Sequence, residues 1–99
     1  MRFDEFWNKV RTLNDWIEFE TLKQKKKFKA RYYVDNIAVT PEESHQERTI
    51  DQNQFIKIWN VSKKHPKHEQ YRPVNYQFNY NASYILAIMK HFLGEEGIE

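Results

Sequence analysis

Six cationic side chains fall within nine consecutive residues in the first third of the chain, and no acidic residue lies among them. They are Lys23, Lys25, Lys26, Lys27, Lys29 and Arg31. Contacts from lysine and arginine to phosphates supply much of the affinity for nucleic acids, so residues 23–31 are a candidate site for nucleic acid or another anionic partner. The alternative interpretation is that a lysine-rich turn keeps the tip of a hairpin in solvent.

A second basic segment, residues 63–72, has one acid, Glu69, and its Tyr71 begins a series of aromatic residues that continues to residue 80. Proteins that bind single-stranded nucleic acid combine cations for the backbone with rings on which bases stack. The predicted anionic site therefore comprises Lys23, Lys25, Lys26, Lys27, Lys63, Lys64, Lys67, Tyr71 and Arg72. Alternatively, the rings anchor an irregular segment to the core while the lysines stay in water.

No residue pattern predicts a catalytic site. The serines stand outside any nucleophile-elbow motif, the chain has no cysteine, and its two glycines form no phosphate-binding loop. His65 and His68 have a spacing that suits chelation, but Pro66 separates them and no third ligand follows at a recognisable distance. The sequence thus predicts a protein that is not an enzyme and has neither a metal site nor a cofactor.

The three tryptophans indicate a different class of function, association with another protein chain. Trp7 and Trp59 lie on the apolar stripes of predicted helices and are expected in the core, whereas Trp16 precedes a strand and is the one most free to be exposed. Trp and Tyr are enriched at protein interfaces. A protein-interaction module or homodimer that uses Trp16 is therefore the alternative to an anion-binding module.

The balance of charge bounds these functions further. The chain has 99 residues and a formal net charge of +2, so any electrostatic function must come from how charge is distributed. This length fits one domain, residues 1–99. The longest apolar run, residues 84–89, is far shorter than the roughly 20 residues of a membrane span, and no signal peptide is recognised. We expect a cytoplasmic protein without a membrane partner.

Hydrophobic periodicity predicts the elements that position these residues. Apolar residues at three- and four-residue steps predict a helix over residues 3–14, and alternation predicts strands over residues 17–21, 28–34 and 37–40, with a weak fourth near 47–50. Two helices follow, separated by a loop, and the last is apolar around most of its circumference. The predicted fold is α+β: a small antiparallel sheet of three to four strands with three helices, in the order α-β-β-(β)-α-loop-α.

The strand pattern has two further consequences. If the apolar sets of the first two strands point the same way, Glu18 faces Arg31 and Glu20 faces Lys29, which would neutralise two of the six clustered cations. A late strand is also predicted over residues 76–80, where aromatic residues alternate with polar ones.

Polar residues mark the predicted turns and helix ends. Asp35-Asn36 should form a two-residue hairpin turn, because both residues tolerate a positive φ. Asp51 should cap the second helix, with Gln54 completing a capping box. Asn81 should cap the third helix.

Several residues of the C-terminal half occur in a recognisable order. They are Arg48-Thr49-Ile50, Phe55, Trp59, Tyr71-Arg72-Pro73 and Asn81-Ala82-Ser83-Tyr84-Ile85-Leu86. On these residues this half resembles small uncharacterised prokaryotic domains that accompany mobile elements and restriction-type defence genes. The resemblance implies a bacterial origin and a DNA-associated context. It carries no catalytic residue across and does not extend to the N-terminal half.

Overall fold

The computed structural model describes residues 1–98 and confirms the predicted α+β class with three helices and an antiparallel sheet. The elements in chain order are α1 (Phe3–Val10), β1 (Ile17–Glu20), β2 (Lys27–Tyr33), β3 (Asn36–Pro41), β4 (Arg48–Asp51), α2 (Gln52–Ser62) and α3 (Ala82–Leu93). Short 3₁₀ helices occur at Lys67–Glu69, Pro73–Tyr76 and Gly94–Glu96. The weakly predicted fourth strand is present. Pro41 is the last residue of β3 and pairs with Phe28 of β2.

The sheet is an antiparallel meander in the order β1-β2-β3-β4. Its inner face joins the helices in a single apolar cluster through Phe19, Phe28, Ala30, Ile37, Val39 and Ile50. The alternate residues of each strand point the other way, and within residues 1–98 no helix covers them. The protein therefore has a packed face and an open face, which we call the outer face of the sheet.

Aromatic rings from α1 and α2 interlock behind the sheet. The ring centroids of Phe6 and Trp59 are 5.1 Å apart, and those of Trp7 and Phe55 are 5.2 Å apart. Helix α3 completes the core, and its Leu86 has no exposed surface. The predictions that Trp7 and Trp59 are core residues and that the last helix is central are confirmed.

The first helix ends earlier than predicted, at Val10 instead of residue 14. The chain turns after Arg11, yet Leu13 remains buried and its carbonyl accepts a hydrogen bond of 2.8 Å from the backbone N–H of Tyr32. Leu13 thus contributes to the core from a turn beside β2. The helical spacing of this apolar residue in the sequence does not distinguish such a position from one on the helix.

The predicted caps are only partly correct. Asp51 accepts a hydrogen bond of 3.0 Å from the backbone N–H of Gln54 and so caps α2 as expected. The Gln54 side chain does not complete a capping box, because its Oε1 accepts hydrogen bonds from the amides of Asn79 and Asn81 instead. Asn81 precedes α3, but its side chain makes no capping hydrogen bond.

The late strand predicted over residues 76–80 is wrong. Tyr76 ends a 3₁₀ helix and is buried, and turns follow it up to α3. The amides of Asn79 and Asn81 reach Gln54 on α2, and these bonds hold the segment against a helix instead of beside a strand. Phe78 and Tyr80 remain exposed.

The β2–β3 turn lies one residue earlier than predicted, at Val34-Asp35 instead of Asp35-Asn36. Both turn residues have positive φ, 47° and 63°, as a two-residue type I′ turn requires. This register places Ile37 opposite Tyr32 on the inner face and leaves Val34 70% exposed. A β-branched residue is a poor choice for this backbone region, so Val34 is locally strained.

Replacing Val34 should therefore stabilise the protein. We expect Val34→Asn to raise the free energy of unfolding by about 1 kcal/mol, because Asn tolerates a left-handed conformation that costs other residues about 1–2 kcal/mol. Chemical denaturation measures the change. Val34→Ala is the control, since it removes the branch but keeps the Cβ atom, and it should gain less. A loss of stability in Val34→Asn would show that the turn residues are assigned incorrectly.

Candidate nucleic-acid interface

Residues 21–26 join β1 to β2, and we call them the tip. Thr21 closes it twice: its backbone N–H donates to the carbonyl of Lys26, and its hydroxyl accepts from the backbone N–H of Lys26, each at 2.9 Å. Lys25 takes a positive φ of 58° to complete the reversal. Because these bonds fix the turn length, they also fix the pairing of β1 with β2.

The pairing differs from the predicted one by two residues. Glu18 lies opposite Lys29 and Glu20 opposite Lys27, whereas the sequence pattern placed Glu18 against Arg31 and Glu20 against Lys29. A shift of two keeps every side chain on its predicted face, since side chains alternate with period two. Two clustered cations still face acids, but Arg31 is no longer one of them.

The remaining tip cations differ in their surroundings. Lys26 makes an ion pair of 3.5 Å with Glu43, and both side chains are mostly exposed. Such surface pairs contribute about 0–1 kcal/mol, so this pair leaves Lys26 available. Neither Lys23 nor Lys25 forms an ion pair with a carboxylate within residues 1–98.

The second basic segment is anchored by tyrosine hydroxyls. The hydroxyl of Tyr71 donates to the carbonyl of Gly94 at 2.9 Å, and the ammonium of Lys90 lies 5.8 Å from the Tyr71 ring centroid. Burial, with a smaller contribution from the charge of Glu95, raises the pKa of Tyr71 to about 12. The hydroxyl of Tyr76 donates to the carbonyl of Gln70 at 2.6 Å. For Tyr71 and Tyr76, the interpretation that rings anchor this segment is correct.

A buried amide completes the anchoring. The Nε2 of Gln70 donates to the carbonyls of Ser62 and Ile98, at 3.1 and 2.9 Å, and its Oε1 accepts from the N–H of Ile98 at 2.9 Å. At Gly97, whose φ is 65°, a Cβ atom would clash with this oxygen, so both the backbone conformation and the close approach favour glycine. One side chain thus ties the end of α2 to the end of the described chain.

The two basic segments meet at the tip. One groove of about 430 Å³ is lined by Leu22, Lys23, Tyr71, Arg72, Pro73 and Val74. A second of about 290 Å³ shares Lys23, Pro73 and Val74 and reaches Gln77. We call the two together the tip groove. Arg72 also forms a 3.5 Å ion pair with Glu69, and its side chain remains largely exposed.

The other cations of the second segment lie elsewhere. Lys63 lines a separate depression with Arg2, Phe3 and Trp59, between the start of α1 and the end of α2. Lys64 and Lys67 are exposed and line neither part of the tip groove. Of the predicted site residues, the structure therefore brings Lys23, Tyr71 and Arg72 together and separates the three lysines from them.

Sequence reasoning missed Val74 and Gln77, which line the tip groove without any charge or motif to mark them. The alternation of Phe78 and Tyr80 predicts a strand, but both residues lie in turns and are exposed. The exposure expected for Trp16 is confirmed, because 36% of its surface is accessible.

Comparisons with protein-family models, curated proteins and solved structures found no match. The resemblance of the C-terminal half to prokaryotic domains therefore stays a prediction. Among residues 1–98, no three His, Asp or Glu side chains are grouped as metal ligands would be. No helix in this part of the chain has the length and apolarity needed to cross a membrane.

Alkaline pH should weaken the anchoring of the second segment. Burial raises the pKa of Tyr76 from 10.0 to about 12, so the folded state keeps a proton that the unfolded state releases. This contribution to the free energy of unfolding is fully present below pH 10 and is lost as the pH rises from about 10 to about 12. Denaturant titrations across this range measure it. Tyr76→Phe is the control, and a wild-type decline no steeper than that of the variant would contradict the prediction.

Proposed function

We propose that this protein is a non-enzymatic binding module whose ligand is nucleic acid, held at the tip groove. The observation that carries the proposal is that Lys23 and Arg72, from two separate basic segments, line the same groove. Two cations and no carboxylate line this groove, which favours a ligand with several negative charges such as a phosphate backbone. The proposal includes a cytoplasmic location and, from the resemblance of the C-terminal half, a bacterial, DNA-associated context.

Exposed rings that follow the groove residue Gln77 in the chain favour nucleic acid over other anions. Gln77 lines the groove, Phe78 follows it, and Tyr80 is 88% exposed two residues later. Large exposed rings next to cations suit bases that are stacked on protein side chains, and a simple carboxylate ligand would make no use of them. The hydrogen bonds that the hydroxyls of Tyr71 and Tyr76 donate to backbone carbonyls anchor this segment, so the rings are presented from a fixed backbone.

Removing the two groove cations should weaken binding in a salt-dependent way. In Lys23→Gln/Arg72→Gln, two phosphate contacts are lost, so the slope of log affinity against log salt should fall by roughly 1.4–1.8. Fluorescence anisotropy of a labelled oligonucleotide at several salt concentrations measures the slope. The melting temperature should change little, since both side chains are exposed.

The matched control is Lys63→Gln/Lys64→Gln, which changes the net charge equally at positions outside the groove. Its slope should stay close to that of the wild type. Equal losses in the two double variants would mean that binding follows net charge and not the groove. Absence of binding at low salt, where electrostatic attraction is strongest, would refute the proposed function.

Self-association through Trp16 is the second candidate. It is favoured by the exposed surface of Trp16 at the start of the edge strand β1. Sedimentation velocity separates the candidates: a dimer that Trp16→Ala dissociates supports association, and a monomer at all accessible concentrations excludes it.

A further inference from the structure

The outer face of the sheet presents a line of cations that ends in aromatic rings. Lys27, Lys29 and Arg31 point outward from β2 at every second residue, followed by Tyr33. Residues two apart on a strand are separated by roughly 6.6 Å, so the three cations and the ring form a straight row of about 20 Å. We call it the cationic row.

Small side chains beside the row leave room for a ligand. On β3, Thr40 lies opposite Lys29 and Ala38 opposite Arg31. Two shallow depressions of about 360 Å³ each extend over β3, one reaching Lys27 and Lys29 and the other reaching Tyr33. We call the two depressions together the trough. The row lies along one side of it, with Lys27, Lys29 and Tyr33 exposed and Arg31 half-buried.

Acidic side chains border the trough on both sides. Glu18 and Glu20 stand on β1 opposite Lys29 and Lys27. Glu42 and Glu47 line the two depressions on the far side. The positive strip is consequently narrow, because neighbouring strands lie only about 4.8 Å apart.

Arg31 is held in place by two rings. Its guanidinium carbon lies 5.6 Å from the ring centroid of Trp16 and 5.1 Å from that of Tyr33. No ion pair or hydrogen bond involves its guanidinium within residues 1–98. A planar guanidinium fixed by aromatic stacking keeps its N–H edge directed at a ligand, and phosphate is the oxyanion that such a fork binds well.

We propose that the cationic row binds single-stranded nucleic acid, with phosphates on Lys27, Lys29 and Arg31 and bases stacked on the faces of Tyr33 and Trp16 that Arg31 leaves open. This inference rests on the proposed function and specifies its ligand. The row continues into the tip, because Lys27 follows Lys25 and Lys26 directly, and the tip leads to Lys23 in the groove. One strand can therefore pass from the outer face over the tip.

The shape of the strip excludes a duplex. A flexible single strand can follow a straight row, whereas each backbone of a duplex winds away from it around the helix axis. A duplex would also bring its second backbone over the bordering glutamates, and such like-charge contacts act against the wrong ligand. Unstacked bases are accessible only in the single strand, and they supply the partner that Tyr33 needs.

The test compares a labelled oligothymidylate, an oligouridylate and a DNA duplex of the same strand length. Tyr33→Ala should weaken single-strand binding roughly 5- to 150-fold, the loss expected for one base stack. Tyr33→Phe is the matched control, because it keeps the ring, and it should bind like the wild type. Lys27→Gln/Lys29→Gln should lower the salt slope by roughly 1.4, or 0.7 per phosphate contact.

Tryptophan fluorescence gives an independent measurement. Trp7 and Trp59 are buried, so quenching by an added oligonucleotide reports on Trp16. We expect quenching in the wild type and its loss in Trp16→Phe. The oligothymidylate and oligouridylate titrations also show whether DNA or RNA is the source of the strand.

The outcomes separate this inference from the proposed function. If single strands bind, and Lys23→Gln/Arg72→Gln weakens them while Tyr33→Ala and Lys27→Gln/Lys29→Gln do not, the groove binds nucleic acid and the cationic row does not. Tighter binding of the duplex, or binding without quenching of Trp16, overturns the inference in the same way. If no oligonucleotide binds at low salt, both proposals fail.

Discussion

The hydroxyl of Thr21, which accepts a hydrogen bond from the backbone N–H of Lys26, determines the arrangement of charge on the sheet. Thr21 is one of the few buried polar residues, and its hydroxyl satisfies an N–H that lies at the closed end of the tip. A turn two residues longer would place Glu18 opposite Arg31. The tight turn instead aligns both glutamates of β1 with Lys27 and Lys29, so that Arg31 contacts Trp16 and Tyr33.

The tip groove depends on a second polar contact, in which Gln70 ties the end of α2 to Ile98. The segment between α2 and α3 has no long regular element, and without such anchors its backbone would be free to move. Gln70 and Tyr76 hold it from the inside, while Tyr71 holds it to Gly94. Arg72 follows Gln70 and Tyr71 directly. A surface arginine is thus positioned beside a hairpin tip by contacts of which those of Gln70 and Tyr76 are buried.

The sequence was sufficient for the three helices, the four strands and the face on which each strand residue lies, but not for the segment before α3 or for the register. Apolar alternation has a period of two, so it cannot distinguish pairings that differ by two residues. This explains why Glu18 was assigned the wrong partner although it lies on the predicted face. The turn at Val34-Asp35 shows the same ambiguity, since the burial of Ile37 beside Tyr32 outweighs the turn preference of Asn36. The bonds of Asn79 and Asn81 to Gln54 join distant segments, and no local pattern encodes them.

The small net charge of the chain hides how its charge is organised. Cations form one row on β2, and acids stand on β1 and on the far side of β3, so each charge type occupies its own line across the outer face. A uniformly basic surface would attract any nucleic acid, including duplex DNA, through counterion release alone. With rows of alternating sign, a polyanion is attracted where it lies along the line of cations. A polyanion wide enough to reach the flanking acids is also repelled by them. Under the proposed function, the glutamates beside Lys27 and Lys29 would weaken the attraction at those lysines and, in the same arrangement, would favour a single strand over a duplex.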